Sequence, residues 1–280
     1  LIGLLVVPLV AYFLLPGNLT DLISQSGVTG GAGAYLNPFM NGDRPYTFIE
    51  IFSQLAWGFG YCGMPHVLVR FMAVKNEKEL KKSWAIAIVW DLLSLSAAFA
   101  IAVIGRAYLL PVILGENGAA SSESVFIEMI RKVFTSELAL PFIGGLFLCG
   151  ILAAIMSTAD SQLLVTASAV SEDLYHSFIK KDADTEEILK VSRITVIAIA
   201  VIAFAIAWNP DSSIMGLVSN AWAGLGSAFG PIVVMSLFWR RTNLPGAIAG
   251  MVTGGLTVII WDYIPLVGGQ TLGTYTGLYS

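Results

Sequence analysis

Long stretches without a single charge dominate the chain, and polar positions fall between these stretches rather than alternating within them. The runs Leu1–Thr20, Ile51–Val69, Leu138–Ala159, Ser212–Trp239 and Thr242–Trp261 contain no Asp, Glu, Lys or Arg. Each reaches the ~17–25 residues that cross a bilayer as a helix. Continuous apolar runs lack the in–out alternation of a membrane β-barrel. The pattern predicts an all-α membrane protein of about seven spans, at roughly 1–15, 47–72, 84–110, 138–172, 192–208, 214–238 and 245–263. Asp91 interrupts the third span and Asp160 the fourth, while the fifth is short and closes on the turn sequence Asn209-Pro210-Asp211.

Composition strengthens this reading. Charged residues are 12% of the chain and hydrophobic ones 56%, whereas a soluble domain carries about 25% charge. A net charge of −4 with dispersed Lys and Arg offers no basic stripe for nucleic acid. Cys62 and Cys149 sit in apolar runs, which does not indicate a disulfide framework. The chain opens at Leu1 in mid-hydrophobic stretch without a basic leader, so it reads as part of a longer protein rather than as a signal peptide. Its other end, Gly273–Ser280, reads as cut as well.

Charge between the spans sets an orientation. Arg70, Lys75, Lys78, Lys81, Lys82, Lys180, Lys181, Lys190, Arg193, Arg240 and Arg241 fall on one side, eleven of fifteen basic residues. Arg44, Arg106, Arg131 and Lys132 fall on the other. The basic side is expected to be cytoplasmic, so spans two and four enter from outside. The lysines at 75–82 alternate with Glu77 and Glu79 and read as a solvated amphipathic linker. The loops at 16–46 and 111–136 are then extracytoplasmic, the first irregular with at most short helical turns, and neither forms a domain large enough for independent function.

Two spans carry candidate chemistry. In span two, Trp57-Gly58-Phe59-Gly60-Tyr61-Cys62-Gly63-Met64-Pro65-His66 sets three glycines and a proline in mid-membrane. Proline leaves a carbonyl unpaired one turn back, so a break is expected here. Open backbone within a membrane is tolerated where it lines a cavity or is buried in protein, and interrupted helices point to transporter binding sites. Trp57, Tyr61 and Pro65 recur at i, i+4 and i+8 and would form one face of a continuous helix, an aromatic wall for a small ring or alkyl group. An interfacial aromatic belt is the plainer reading of such rings, but the middle of a span is a poor place for it. His66 has no carboxylate neighbour and reads as a packed histidine rather than a proton carrier.

In span four, Ala154, Ser157 and Thr158 share a face by their spacing of three and four. Two hydroxyls and a backbone carbonyl would give hard oxygen ligands to a small cation such as Na⁺. Against this stands the habit of Ser and Thr in membrane helices of bonding back to the i−4 carbonyl or joining helices. Asp160 nearby tips the balance, because a carboxylate within a span is costly. The glycines at 224, 226 and 230, and at 246, 250 and 254, are read as close helix packing. An enzyme fares badly: there are two histidines, His66 and His176, and no H-E-x-x-H, G-x-S-x-G, metal cluster or phosphate-binding loop.

Leu55–Ala73, Ile151–Tyr175 and Gly216–Trp239 closely resemble the sodium/solute symporter family, nearest within it to the sodium/proline symporters. The resemblance covers most of the chain. It implies an inverted-repeat bundle in which 1–15 ends the first five-helix repeat, 47–238 is the second repeat and 245–263 is a peripheral helix. It further implies that Ala154, Ser157 and Thr158 are sodium ligands and that Trp57, Tyr61 and Pro65 contribute to the substrate site. Met64 stands where proline carriers frequently have Gln, Cys62 where an aromatic is common, and Asp160 departs from the pattern of the best-known members. The expected function is sodium-coupled uptake of a small amino acid, foremost proline, by a multi-pass protein of a bacterial plasma membrane. The family's other broken helix should lie upstream of Leu1. A symporter for another small carboxylate or amino acid, or a transporter-like module of a membrane sensor, are the alternatives.

Overall fold

The structure, a computed structural model, describes residues 1–109, 123–208 and 214–273. In chain order its helices are α1 (Ile2–Phe13), α2 (Leu19–Gln25), α3 (Gly31–Tyr35), α4 (Phe48–Gly60) and α5 (Pro65–Met72). There follow α6 (Glu77–Tyr108), α7 (Val125–Ile130), α8 (Pro141–Ser168), α9 (Thr185–Ala207), α10 (Ile214–Phe238) and α11 (Leu244–Tyr263). Wider π-helical turns continue α7 over Arg131–Glu137 and α8 over Ala169–Ile179. Two small antiparallel pairs complete the described residues: β1 (Met40–Asn41) with β2 (Arg44–Pro45), and β3 (Pro265–Val267) with β4 (Gln270–Thr271).

Among the described residues five helical stretches are long and apolar enough to cross a membrane: Glu77–Tyr108, Pro141–Ile179, Thr185–Ala207, Ile214–Phe238 and Leu244–Tyr263. Span one is a helix of 12 residues, and span two is divided between α4 and α5. Large apolar side chains such as Ile197, Phe204, Leu237 and Phe142 stand exposed along the long helices. Water does not tolerate so continuous an apolar surface, but a bilayer does.

Helix ends differ from span ends in an instructive way. The stretch read as a linker at 75–82 is the first part of α6, capped by the Asn76 carboxamide oxygen, which accepts from the Glu79 N–H at 3.0 Å. Lys81 pairs with Glu77 at 3.3 Å and Lys82 with Glu79 at 3.1 Å, as a solvated helical face requires. The fifth span likewise starts at Thr185 rather than near 192, because Asp184 accepts from the Thr185 N–H at 2.8 Å and Glu186 and Glu187 lie in the first turn. Uncharged runs mark what the membrane covers, whereas caps mark where helices begin. The turn at 209–211 and part of the loop at 111–136 lie outside the described residues.

Two compact units share the chain. The first comprises residues 1–51 and 74–155. Its core joins Val7 and Ala11 of α1, Ile101 and Tyr108 of α6, and Met129, Ile130, Val133 and Phe134 from α7 and its π-helical continuation. The i, i+4 spacing of Val7/Ala11 and of Met129/Val133 presents each pair on one face. Arg106 is held beside this core: its Nε donates to the Ser26 hydroxyl at 3.0 Å, and its guanidinium lies 5.5 Å from the Tyr35 ring centroid.

The second unit comprises residues 52–73 and 156–280. Here α10 packs on both α11 and the turn between α4 and α5. The π-helical end of α8 is tied to α9 by Glu187, which accepts from the Tyr175 hydroxyl at 2.7 Å and from the Lys180 ammonium at 2.6 Å. That bond holds the Lys180 ammonium above its ordinary pKa. Pro141–Ile179 runs for 39 residues, well beyond the ~20 that cross a bilayer as a helix.

Candidate functional site

The break expected in span two is present. α4 ends at Gly60, a single 3₁₀ turn covers Tyr61–Gly63, and Met64 is extended at φ −86°, ψ 112° before α5 begins with Pro65. Pro65 dictates much of this. Its ring disfavours helical backbone at Met64, while its fixed φ suits the first helical position. The Val67 and Leu68 N–H groups both turn back to the Met64 carbonyl at 3.0 Å. Met64 itself is buried at 3% exposure, its side chain packed rather than open.

Glycines let α10 reach this break. A Cβ on Gly226 would stand 2.9 Å from the Gly60 Cα, and one on Gly63 would collide with the Leu225 carbonyl and lie 2.8 Å from the Gly226 Cα. Gly230 faces the Phe59 carbonyl in the same way. On the other side of α10, a Cβ on Gly254 would strike the Ser227 carbonyl, and the Ser227 hydroxyl donates to the Gly254 carbonyl at 3.1 Å. The packing role expected of Gly226, Gly230 and Gly254 is therefore real, whereas Gly224 has open space around it.

Trp222, on α10, fills the break. Its ring stacks on Trp57 at a centroid distance of 5.9 Å and an angle of 17°, and meets Tyr61 edge-on at 4.6 Å and 85°. Its indole N–H donates to the Trp57 carbonyl at 3.1 Å. That carbonyl lies in the last turn of α4, next to the break. Trp57 and Tyr61 thus come together through a third ring that the sequence reading passed over. The available signal was a tryptophan in mid-span beside the small residues Ala221, Ala223 and Gly224, where an interfacial role is unsuited. Pro65 sits one turn beyond Tyr61, starting the second half-helix rather than extending a continuous aromatic stripe.

Ala154, Ser157 and Thr158 lie within unbroken α8, where i, i+3 and i+4 positions share a face, and all three are exposed. Back-bonding does occur in this helix: the Ser161 hydroxyl donates to the Thr158 carbonyl at 2.9 Å, and Thr166 to the Gln162 carbonyl at 2.8 Å. Asp160 is exposed on the same helix and Asp91 is exposed on α6. Among the described residues no group of three His, Cys, Asp or Glu side chains gathers as a metal site.

Five helices long and apolar enough to cross a membrane among the described residues, together with a broken helix that carries aromatic rings, point to the class of polytopic membrane transporters. Residues 4–254 match the family model described as "Sodium:solute symporter family". The chain is 47% identical over 213 residues to "Osmoregulated proline transporter OpuE" of Bacillus subtilis (strain 168), covering 76% of this chain and 42% of that protein. It is 43% identical over 223 residues to "Sodium/proline symporter" of Escherichia coli (strain K12), covering 79% and 43%. With "Sodium/proline symporter 2" of Staphylococcus saprophyticus it shares 41% over 268 residues, covering 93% and 48%. No solved structure gives a significant match. The chain belongs to the sodium:solute symporter family and is a multi-pass membrane protein. It spans about half the length of the curated relatives it matches.

Proposed function

We propose that this chain is the substrate- and sodium-binding half of a symporter that takes up proline across a bacterial cell membrane, driven by sodium. One observation carries the reading: the helix breaks at Tyr61–Met64 just where Trp57 and Tyr61 present their rings. A pyrrolidine ring is compact and apolar and suits an aromatic wall better than a polyhydroxylated solute does. The relatives' names agree with that choice of solute.

In this reading the bundle has seven spans in this chain, with 1–15 closing a first inverted repeat, 47–238 forming the second and 245–263 lying outside both. Sodium is the cotransported ion, held by the Ala154 carbonyl and the Ser157 and Thr158 hydroxyls against a second broken helix contributed by the rest of the protein. Pro65 opens the half-helix whose N-terminal dipole end favours the solute's carboxylate. Sodium and solute stabilise the same conformation, so the sodium gradient drives uptake through that shared preference.

The test is uptake of labelled proline by the complete protein in proteoliposomes, with and without an inward sodium gradient. Sodium-dependent accumulation that excess unlabelled proline abolishes is expected. Accumulation indifferent to sodium would refute the coupling, and competition by a sugar but not by proline would refute the substrate.

A further inference from the structure

We propose that Trp222 is a substrate-contacting residue that sets the size of the solute admitted at the broken helix. The inference deepens the proposed function and rests on its reading of Trp57 and Tyr61 as the substrate wall.

Three observations place the ring. It touches both members of that wall, nearly parallel to Trp57 at 5.9 Å and edge-on to Tyr61 at 4.6 Å. Its N–H is anchored on the Trp57 carbonyl at 3.1 Å. Finally, Gly60 leaves room for it, since a Cβ there would collide with the indole. A hydrogen bond fixes the direction of the ring and an absent side chain reserves its place, so Trp222 is not a loosely packed surface residue.

The consequence is geometric. In this proposal a solute ring resting on Trp57 and Tyr61 borders the indole that lies against both. The wall therefore has a corner, and the corner limits how large a ring can be accommodated. A rigid aromatic side chain anchored by a polar atom defines such a limit more sharply than a flexible aliphatic one. The discrimination expected from one methylene in an apolar pocket is about 10-fold or somewhat more.

The experiment measures, in the complete protein, competition against labelled proline uptake by unlabelled proline and by piperidine-2-carboxylate, whose ring is one methylene larger. Trp222→Ala is expected to shift the ratio of half-inhibitory concentrations about 10-fold toward the larger ring. Trp222→Phe, which keeps an aromatic but shortens it and removes the N–H, is expected to give a smaller shift in the same direction. A purely structural Trp222 would lower the amount of carrier in the membrane and leave the ratio untouched. Should the alanine variant fail to reach the membrane, the phenylalanine variant decides by the same ratio. Wild-type proline uptake with an unchanged ratio in the variants overturns this inference alone. Absence of sodium-driven proline uptake by the wild type overturns the site reading, and this inference with it.

Discussion

Lys132 meets Tyr108 twice: its ammonium donates to the Tyr108 carbonyl at 2.7 Å and stands 4.2 Å from the centre of the Tyr108 ring. Tyr108 is the last residue of α6, so a cation here satisfies a terminal carbonyl and lies at the negative end of the helix dipole. Lys132→Met keeps the side chain's apolar length and removes both interactions. It is expected to destabilise the complete protein by about 1–2 kcal/mol, read as a lower unfolding temperature in detergent. An unchanged temperature would mean the contact contributes nothing net.

The glycines of the broken helix differ sharply in what surrounds them. At Gly63 a methyl group would meet backbone atoms of Leu225, Gly226 and Gly230, whereas at Gly58 it would meet nothing within 4 Å. Backbone cannot swing aside as a flexible side chain can. Gly63→Ala is therefore expected to cost about 1–3 kcal/mol through overpacking, and Gly58→Ala to be neutral or slightly stabilising in a helix interior. Yield of monodisperse protein and thermal stability for the two variants check the contrast. Equal behaviour would refute the close approach of α10 to the break.

Sodium should be felt through the hydroxyls of α8. Ser157→Ala or Thr158→Ala removes one oxygen that would replace part of the ion's hydration shell. Each is expected to raise the sodium concentration for half-maximal uptake, with a smaller effect at saturating sodium. Sodium titrations of both variants that overlay the wild type would assign these hydroxyls to helix back-bonding, as at Ser161.

On the substrate side, Trp57→Ala or Tyr61→Ala is expected to weaken proline uptake by about 1–3 kcal/mol in transition-state or binding free energy, the scale of an aromatic contact. Initial rates across a range of proline concentrations supply the number. Because both rings also pack on Trp222, membrane abundance must be measured alongside. Uptake that falls only in proportion to abundance would count against a substrate role.

Orientation follows from the eleven-to-four division of basic residues. With Cys62 and Cys149 replaced by Ser, single cysteines at Lys78 and Asp184 should escape an impermeant thiol reagent in intact cells, while one at Asp43 should react. Labelling of the first two from outside would invert the topology.

Sequence alone determined the membrane class, the broad placement of the five long apolar helices and the break between α4 and α5. These are local properties: an uncharged run needs no partner to be insoluble in water, and Pro65 restrains Met64 through bonded neighbours alone. The same local logic placed Ala154, Ser157 and Thr158 on one helical face, because a regular helix carries its periodicity with it. Tertiary structure decided what meets what. Met129, Ile130, Val133 and Phe134 lie in a stretch that reads as a loop, yet they form much of the first unit's core, because α1 and α6 supply the other side. Trp222 reaches the Trp57 carbonyl across 165 residues of sequence. No spacing rule connects such positions, since their contact depends on glycines at 60, 63, 226 and 230 letting two backbones approach, a condition that exists once the helices are side by side.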